Sequence, residues 1–153
     1  MGEERICMKK NLPQRKNIRL KYYDYSTPGL YFVTICIKNR REILGHIKYN
    51  DIKLTKEGYI ARKNIKKIFE GITIDEYVIM PNHIHMLISL DGQNEVTLSR
   101  IIKQYKGVVT KQIGYSIWQK LYYEHVIRNE KEYYIVKEYI RNNIINWEKD
   151  KYF

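Results

Sequence analysis

Pro81-Asn82 separates two apolar runs, and no other pair of residues limits the fold of this chain as much. Proline presets φ for the first central position of a tight turn and asparagine tolerates the second. The runs on either side, Ile72 to Met80 and His83 to Leu90, then pair as a hairpin. A strand turns successive side chains to opposite faces, so His83 and His85 point the same way, roughly 7 Å apart along the chain. Ile84, Met86, Ile88 and Leu90 point the other way, into a core. Neutral imidazole is the commonest metal ligand, which makes the histidine pair a candidate metal site just beyond a turn. A bare His-x-His also fits two partly exposed strand histidines with no chemistry, so the rest of the chain has to decide.

The 153 residues suit one domain with a core of its own: 44% are hydrophobic and 13% aromatic, which excludes a disordered chain. No apolar run approaches the roughly 20 residues of a membrane span. The first residues, Met1 to Arg19, are polar and basic, without the apolar stretch of a secretory signal. Cys7 and Cys36 form no CxxC pair, so a zinc-thiolate site is not expected. Cys36, inside an apolar run, is expected to be a buried thiol. A cytoplasmic, nucleoid-associated protein with no membrane contact is the expectation. Twenty-eight Lys and Arg against 17 Asp and Glu leave a net charge of +11, which favours a polyanion as partner.

Taken in order, residues 1–25 read as a basic arm ahead of a single domain at 26–153. Its Lys and Arg side chains are followed by Tyr22, Tyr23 and Tyr25, a mixture that suits single-stranded nucleic acid because aromatic faces stack on any base. Ser26-Thr27-Pro28-Gly29 is turn chemistry, and Tyr31 to Ile37 reads as a central strand, apolar on both faces. Lys38-Asn39-Arg40-Arg41 is a basic loop. Ile43 to Leu54 is ambiguous, with room for a short strand near His46 to Tyr49. Thr55 caps a helix running to Phe69, its apolar stripe being Ile60, Ala61, Ile65, Ile68 and Phe69.

After the hairpin a second helix is predicted over Thr97 to Gln112, with Lys103, Lys106 and Lys111 outside. Ile117 to Ile127 reads as the fourth strand. Asn129 and Glu132 have capping-box spacing and open the last helix. Its inner stripe is Ile135, Val136, Tyr139, Ile140, Asn143, Ile144 and Trp147. Asn143 is polar where an apolar side chain belongs, one turn after Tyr139. It is either bonded to a neighbouring backbone group or presented together with the tyrosine hydroxyl from one helix face. The order of elements matches an α+β, ferredoxin-like β-α-β-β-α-β fold: a four-stranded antiparallel sheet plus a C-terminal helix carrying the tyrosine.

Pro81-Asn82-His83-Ile84-His85 resembles the His-hydrophobe-His motif of the HUH endonucleases, and the pattern around it resembles their single-tyrosine transposases, in the REP-associated branch. Pro28-Gly29-Leu30-Tyr31-Phe32-Val33-Thr34-Ile35-Cys36 resembles that branch's N-terminal signature. Tyr123-Glu124-His125-Val126-Ile127-Arg128-Asn129 resembles its pre-helix block, and Tyr139-Ile140-Arg141-Asn142-Asn143 its tyrosine helix. The family usually carries proline where this chain has Ile144.

The resemblance implies a metal-dependent endonuclease and strand transferase that cuts single-stranded DNA next to a hairpin and keeps the 5′ end as a phosphotyrosine. By motif position Tyr139 is the nucleophile, and His83, His85 and Asn143 hold Mg²⁺ or Mn²⁺. Arg15, Lys16, Arg19, Arg40, Arg41, Lys103 and Lys106 are candidate DNA contacts, expected to make affinity fall steeply with salt. His125 is a candidate accessory, either an acid/base or orienting group near the site or a packing residue beside Tyr123. The alternative function is a catalytically silent, domesticated relative that binds DNA hairpins. The residues do not choose between a monomer and a homodimer.

Overall fold

The β-branched and aromatic residues ahead of the basic loop form the strand on which the sheet is built. In this computed structural model, which describes residues 29–68, 72–91 and 97–147, β1 runs Gly29–Cys36 and is hydrogen-bonded on both sides. Its neighbours are β5 (His83–Leu90) and β6 (Tyr123–Ile127), both antiparallel to it, and β4 (Thr73–Met80) pairs with β5 beyond. The order β4-β5-β1-β6 is the one a ferredoxin-like sheet requires, with the first strand in the middle and consecutive strands joined by a hairpin or by helices. Pro81-Asn82 makes the β4–β5 turn, as expected.

Two helices cover one face. Helix α1 (Lys56–Ile68) buries Ala61 and Ile65, and α2 (Leu98–Ile113) buries Leu98, Ile101, Ile102, Tyr105 and Val109 against Tyr31, Val33, Ile35, Ile84, Met86 and Ile88 of the sheet. Tyr105 Oη donates to the Ala61 carbonyl at 2.7 Å and joins the two helices. Thr55 caps α1 through its hydroxyl, which accepts from Gly58 N at 3.1 Å, and Thr97 caps α2. Gly114, at φ 102°, ends α2 in the left-handed conformation that glycine adopts without strain. The expected helix end at Phe69 and the basic arm, including Arg15, Lys16 and Arg19, lie outside the described residues.

The opposite face is covered by α3 (Glu130–Arg141), whose Val136 and Ile140 pack with Phe32, Val78, Met80, Leu87, Ile127 and Trp147. Asn129 Oδ1 accepts from Glu132 N at 2.8 Å, which is half of the predicted capping box. The reciprocal bond shifts by one residue: Glu132 Oε1 accepts from Arg128 N at 2.9 Å. Tyr133 Oη donates to Asp75 at 3.1 Å and Arg141 pairs with Glu76 at 3.4 Å, both on the irregular stretch of β4.

Three details differ from the sequence reading. The fourth strand is only Tyr123–Ile127; upstream of it the chain meets the end of β1 only at an isolated antiparallel bridge of Trp118 with Ile37, where Lys38 N donates to Ile117 O and Gln119 N to Cys36 O, and the ladder is broken between that bridge and Tyr123. The ambiguous stretch is a separate hairpin, β2 (Gly45–Lys48) with β3 (Asp51–Leu54), closed by Tyr49-Asn50. The last helix ends at Arg141, and Asn143 sits on the turn after it, with its N–H bonded to Ile140 O. Among the described residues no helix is long and apolar enough to cross a membrane.

Candidate active site

Register places the two histidines. His83 is opposite Cys36 and Met80, and His85 is opposite Thr34 and Val78, so both imidazoles lie on the sheet face that α3 covers. They are not the partly exposed pair that the spacing also allowed: His83 is 3% exposed and His85 fully buried. Their ring centroids are 4.6 Å apart. Burying two imidazoles side by side under the apolar face of α3 costs free energy unless their nitrogens are satisfied.

Each Nδ1 has a partner. His83 Nδ1 is 2.7 Å from Asn82 Oδ1, and His85 Nδ1 is 2.8 Å from Thr34 Oγ1 on the adjacent strand. Asn82 Nδ2 donates to the Arg40 carbonyl at 3.5 Å, which orients the amide so that Oδ1 faces His83. An amide oxygen only accepts, so the proton of neutral His83 is on Nδ1 and its lone pair is on Nε2. That Nε2 is buried and, among the described residues, has no hydrogen-bond partner. Asn143 Oδ1 is in the same condition. Burial holds His83 well below the ordinary imidazole pKa, and neighbouring His85 lowers it further; the Asn143 side chain opposes both, without closing a hydrogen bond. His83 is therefore neutral at pH 7, the state a metal ligand needs.

Tyr139 comes to this pair from α3. Its ring is half-buried, 5.4 Å from His85 and edge-on to Phe32 at 6.3 Å, centroid to centroid. Trp147, on the closing turn, lies 6.5 Å from His83 and helps roof the site. Asn143 is 8% exposed, and its buried oxygen beside buried His83 Nε2 makes a donor pair aimed at one region. Two imidazoles and an amide oxygen fit a divalent ion of borderline hardness, with positions left for phosphate or water. Among the described residues no group of three or more His, Cys, Asp or Glu side chains is placed to hold a metal ion.

The other candidates divide. His125 is opposite Phe32, on the site face, but its Nε2 bonds to Glu132 Oε2 at 2.7 Å. It ties β6 to the start of α3, the helix that carries Tyr139. Burial works to raise the Glu132 carboxyl, yet hydrogen bonds from His125 and Arg128 N, with their positive charge, hold it below the usual carboxylate value. Lys106 does not face solvent as Lys103 does: its amine donates to the Gln119 carbonyl at 2.9 Å, with Lys120 O and Leu121 O at 3.5 Å. Burial pushes it down to about 8, against the attraction of Cys36. Arg41 is exposed; Arg40 is half-buried, with Nη1 unpartnered among the described residues. Thr34 and Asn82 are the residues that sequence reasoning missed. The available signal was a threonine inside an apolar strand and an asparagine directly before the first histidine.

Comparison with known proteins agrees with this architecture. Residues 28–143 match the family model described as Transposase IS200 like. A protein of Haemophilus influenzae without an assigned function is 36% identical over 167 residues, covering 91% of this chain and 93% of its own. The REP-associated tyrosine transposase of Escherichia coli is 30% identical over 122 residues, covering 78% and 68%. A solved structure of a REP-associated tyrosine transposase bound to a REP hairpin superposes with a TM-score of 0.68 at 28% identity, covering 85% of this chain and 73% of that one.

Proposed function

The chain belongs to the IS200-like transposase family, and on that premise we propose that it cuts single-stranded DNA beside a hairpin and rejoins it, holding the 5′ end on Tyr139 in between. The observation that carries the reading is the meeting of Tyr139 with His85 on a face that also buries His83 and Asn143. A fold alone needs neither a pair of imidazoles nor an unpartnered amide oxygen there. The hairpin-bound relative supports a DNA hairpin as the recognised feature.

His83, His85 and Asn143 would hold Mg²⁺ or Mn²⁺, and a bound ion polarises the scissile phosphate and offsets charge building on its oxygens. The chain's own residues do the rest. Asn82 and Thr34 fix the rings, and α3 with Trp147 keeps bulk water from the face. A phenol is a weak nucleophile at neutral pH, its ordinary pKa being near 10, so positioning matters more than basicity. The Tyr139 oxygen forms a bond to phosphorus, the bond from phosphorus to the 3′ oxygen breaks, and the phenolic proton is balanced by the new 3′-OH. One phosphodiester replaces another, so a different 3′-OH can reverse the step and join strands.

The test is incubation with a 3′-labelled hairpin carrying single-stranded flanks, with Mn²⁺, on a denaturing gel. Label moving with the protein, and lost in Tyr139→Phe, is the expected result. DNA bound but uncut would instead make this a hairpin-binding protein, and a free 5′-phosphate with no adduct would make it a hydrolase.

A further inference from the structure

The β2–β3 hairpin ends in a feature that the fold does not need. Its register pairs Lys48 with Asp51 and leaves Tyr49-Asn50 as a two-residue turn, at φ 55° and 58°. Positive φ at both central residues defines the turn that normally takes Asn-Gly, because glycine and asparagine tolerate that conformation and a bulky side chain is strained in it. A bulky tyrosine occupies that position instead. Its ring is not compensated by burial: Tyr49 is 87% exposed, the most exposed of the large apolar side chains described, and its neighbour is the Lys48 amine 5.3 Å from the ring centre. A single exposed tyrosine is ordinary; one held bare in a strained conformation at the tip of a hairpin is a candidate for function.

The root of this hairpin is fixed beside the candidate site. Leu44 N donates to the Pro81 carbonyl at 3.0 Å, on the turn that leads into His83, and Thr55 Oγ1 donates to the Ile43 carbonyl at 2.6 Å. Helix α1 presses on the root at Gly58, where a Cβ would stand 2.0 Å from the Leu44 carbonyl. Ile47 packs against the Phe32, Met80 and Trp147 cluster, the same cluster that covers the histidine face. Residues 38–54 carry Lys38, Arg40, Arg41, Lys48 and Lys53 against only Glu42 and Asp51. Charge and a bare ring on a rigid support match a strand that offers phosphates and unstacked bases.

We propose that the β2–β3 hairpin is a nucleic-acid contact in which the Tyr49 ring stacks on an unpaired base flanking a DNA hairpin, while Lys48 and Lys53 meet adjacent phosphates. This rests on the single-stranded DNA reading above and names the surface that engages the flank. Stacking of this kind tolerates any base, so it adds grip rather than sequence choice.

The experiment uses DNA hairpins with single-stranded flanks carrying 2-aminopurine at successive positions, titrated with the whole chain. Wild type should quench one flank position, and Tyr49→Phe and Tyr49→Trp should keep both quenching and affinity. Tyr49→Gly should bind about tenfold more weakly or worse and lose the quenching. The same variant should melt at a higher temperature than wild type, because glycine suits a φ of 55°, so its loss of binding would not be loss of fold. Wild-type affinity and quenching in Tyr49→Gly would overturn the inference alone. No binding of such DNA by wild type would overturn the single-stranded DNA reading and this inference with it.

Discussion

Asn82 Oδ1 lies 2.7 Å from Nδ1 of His83, and this contact between chain neighbours decides which nitrogen of the ring carries the proton. The amide is itself oriented by its bond to the Arg40 carbonyl, so the lone pair of His83 faces Asn143 and not the turn. Thr34 stands in the matching place for His85. Partners of this sort set ring orientation and ligand basicity, and their removal commonly costs 10- to 100-fold in metal affinity.

Asn82→Ala should therefore weaken Mn²⁺ binding by about ten- to a hundredfold by calorimetry, with His83 populating the other tautomer in ¹⁵N spectra of its ring. Asn82→Asp, which keeps an acceptor, should restore the Nδ1-protonated form. Unchanged affinity in Asn82→Ala would mean that the bond holds the turn and not the ligand.

Tyr139→Phe should abolish the covalent adduct while leaving hairpin affinity within about twofold, because the ring that packs on His85 and Phe32 is retained. An adduct persisting in this variant would move the nucleophile elsewhere, with Tyr133 and Tyr134 next to be tested.

Glu132 links stability to acid. Its carboxyl sits below the ordinary value in the folded chain, so the unfolded chain binds more protons as pH falls. Its contribution is fully present above the unfolded pKa, roughly 4.3, and is lost as pH drops through the lower folded value. Glu132→Gln should flatten that part of the melting-temperature profile and raise amide exchange at the start of α3. An identical acid limb in wild type and variant would remove Glu132 from the account.

Lys103 and Lys106 lie one helical turn apart and should behave differently. Lys106→Ala removes a cation bonded to the 119–121 carbonyls and should cost about 1–3 kcal/mol of stability, read from denaturant midpoints. Lys103 is exposed, and Lys103→Ala should leave stability unchanged while lowering the salt slope of DNA affinity by about one. The reverse pattern would show that the bonds of Lys106 in the free protein yield to DNA.

Much of the architecture was legible because it depends on local periodicity. Alternation put His83 and His85 on one face, Pro81-Asn82 marked the turn, and helical spacing aligned Tyr139 with the apolar stripe of α3. Those patterns follow from φ/ψ geometry, which a residue and its near neighbours impose. At 45–54 the first strand was legible near His46 to Tyr49, but its partner and the hairpin were not, because Tyr-Asn is a poor turn signal and the strands are short. Asn143 was misplaced by one element because helical spacing continues past Arg141 although the helix does not. What no periodicity contains is the set of neighbours across the sheet. Thr34 reaches His85 only because β1 pairs with β5 in one register, and Tyr139 reaches His85 only because α3 folds back over that face. Such contacts join residues 51 and 54 positions apart. They are decided by which buried faces close on each other, and that choice belongs to the packing of the whole domain.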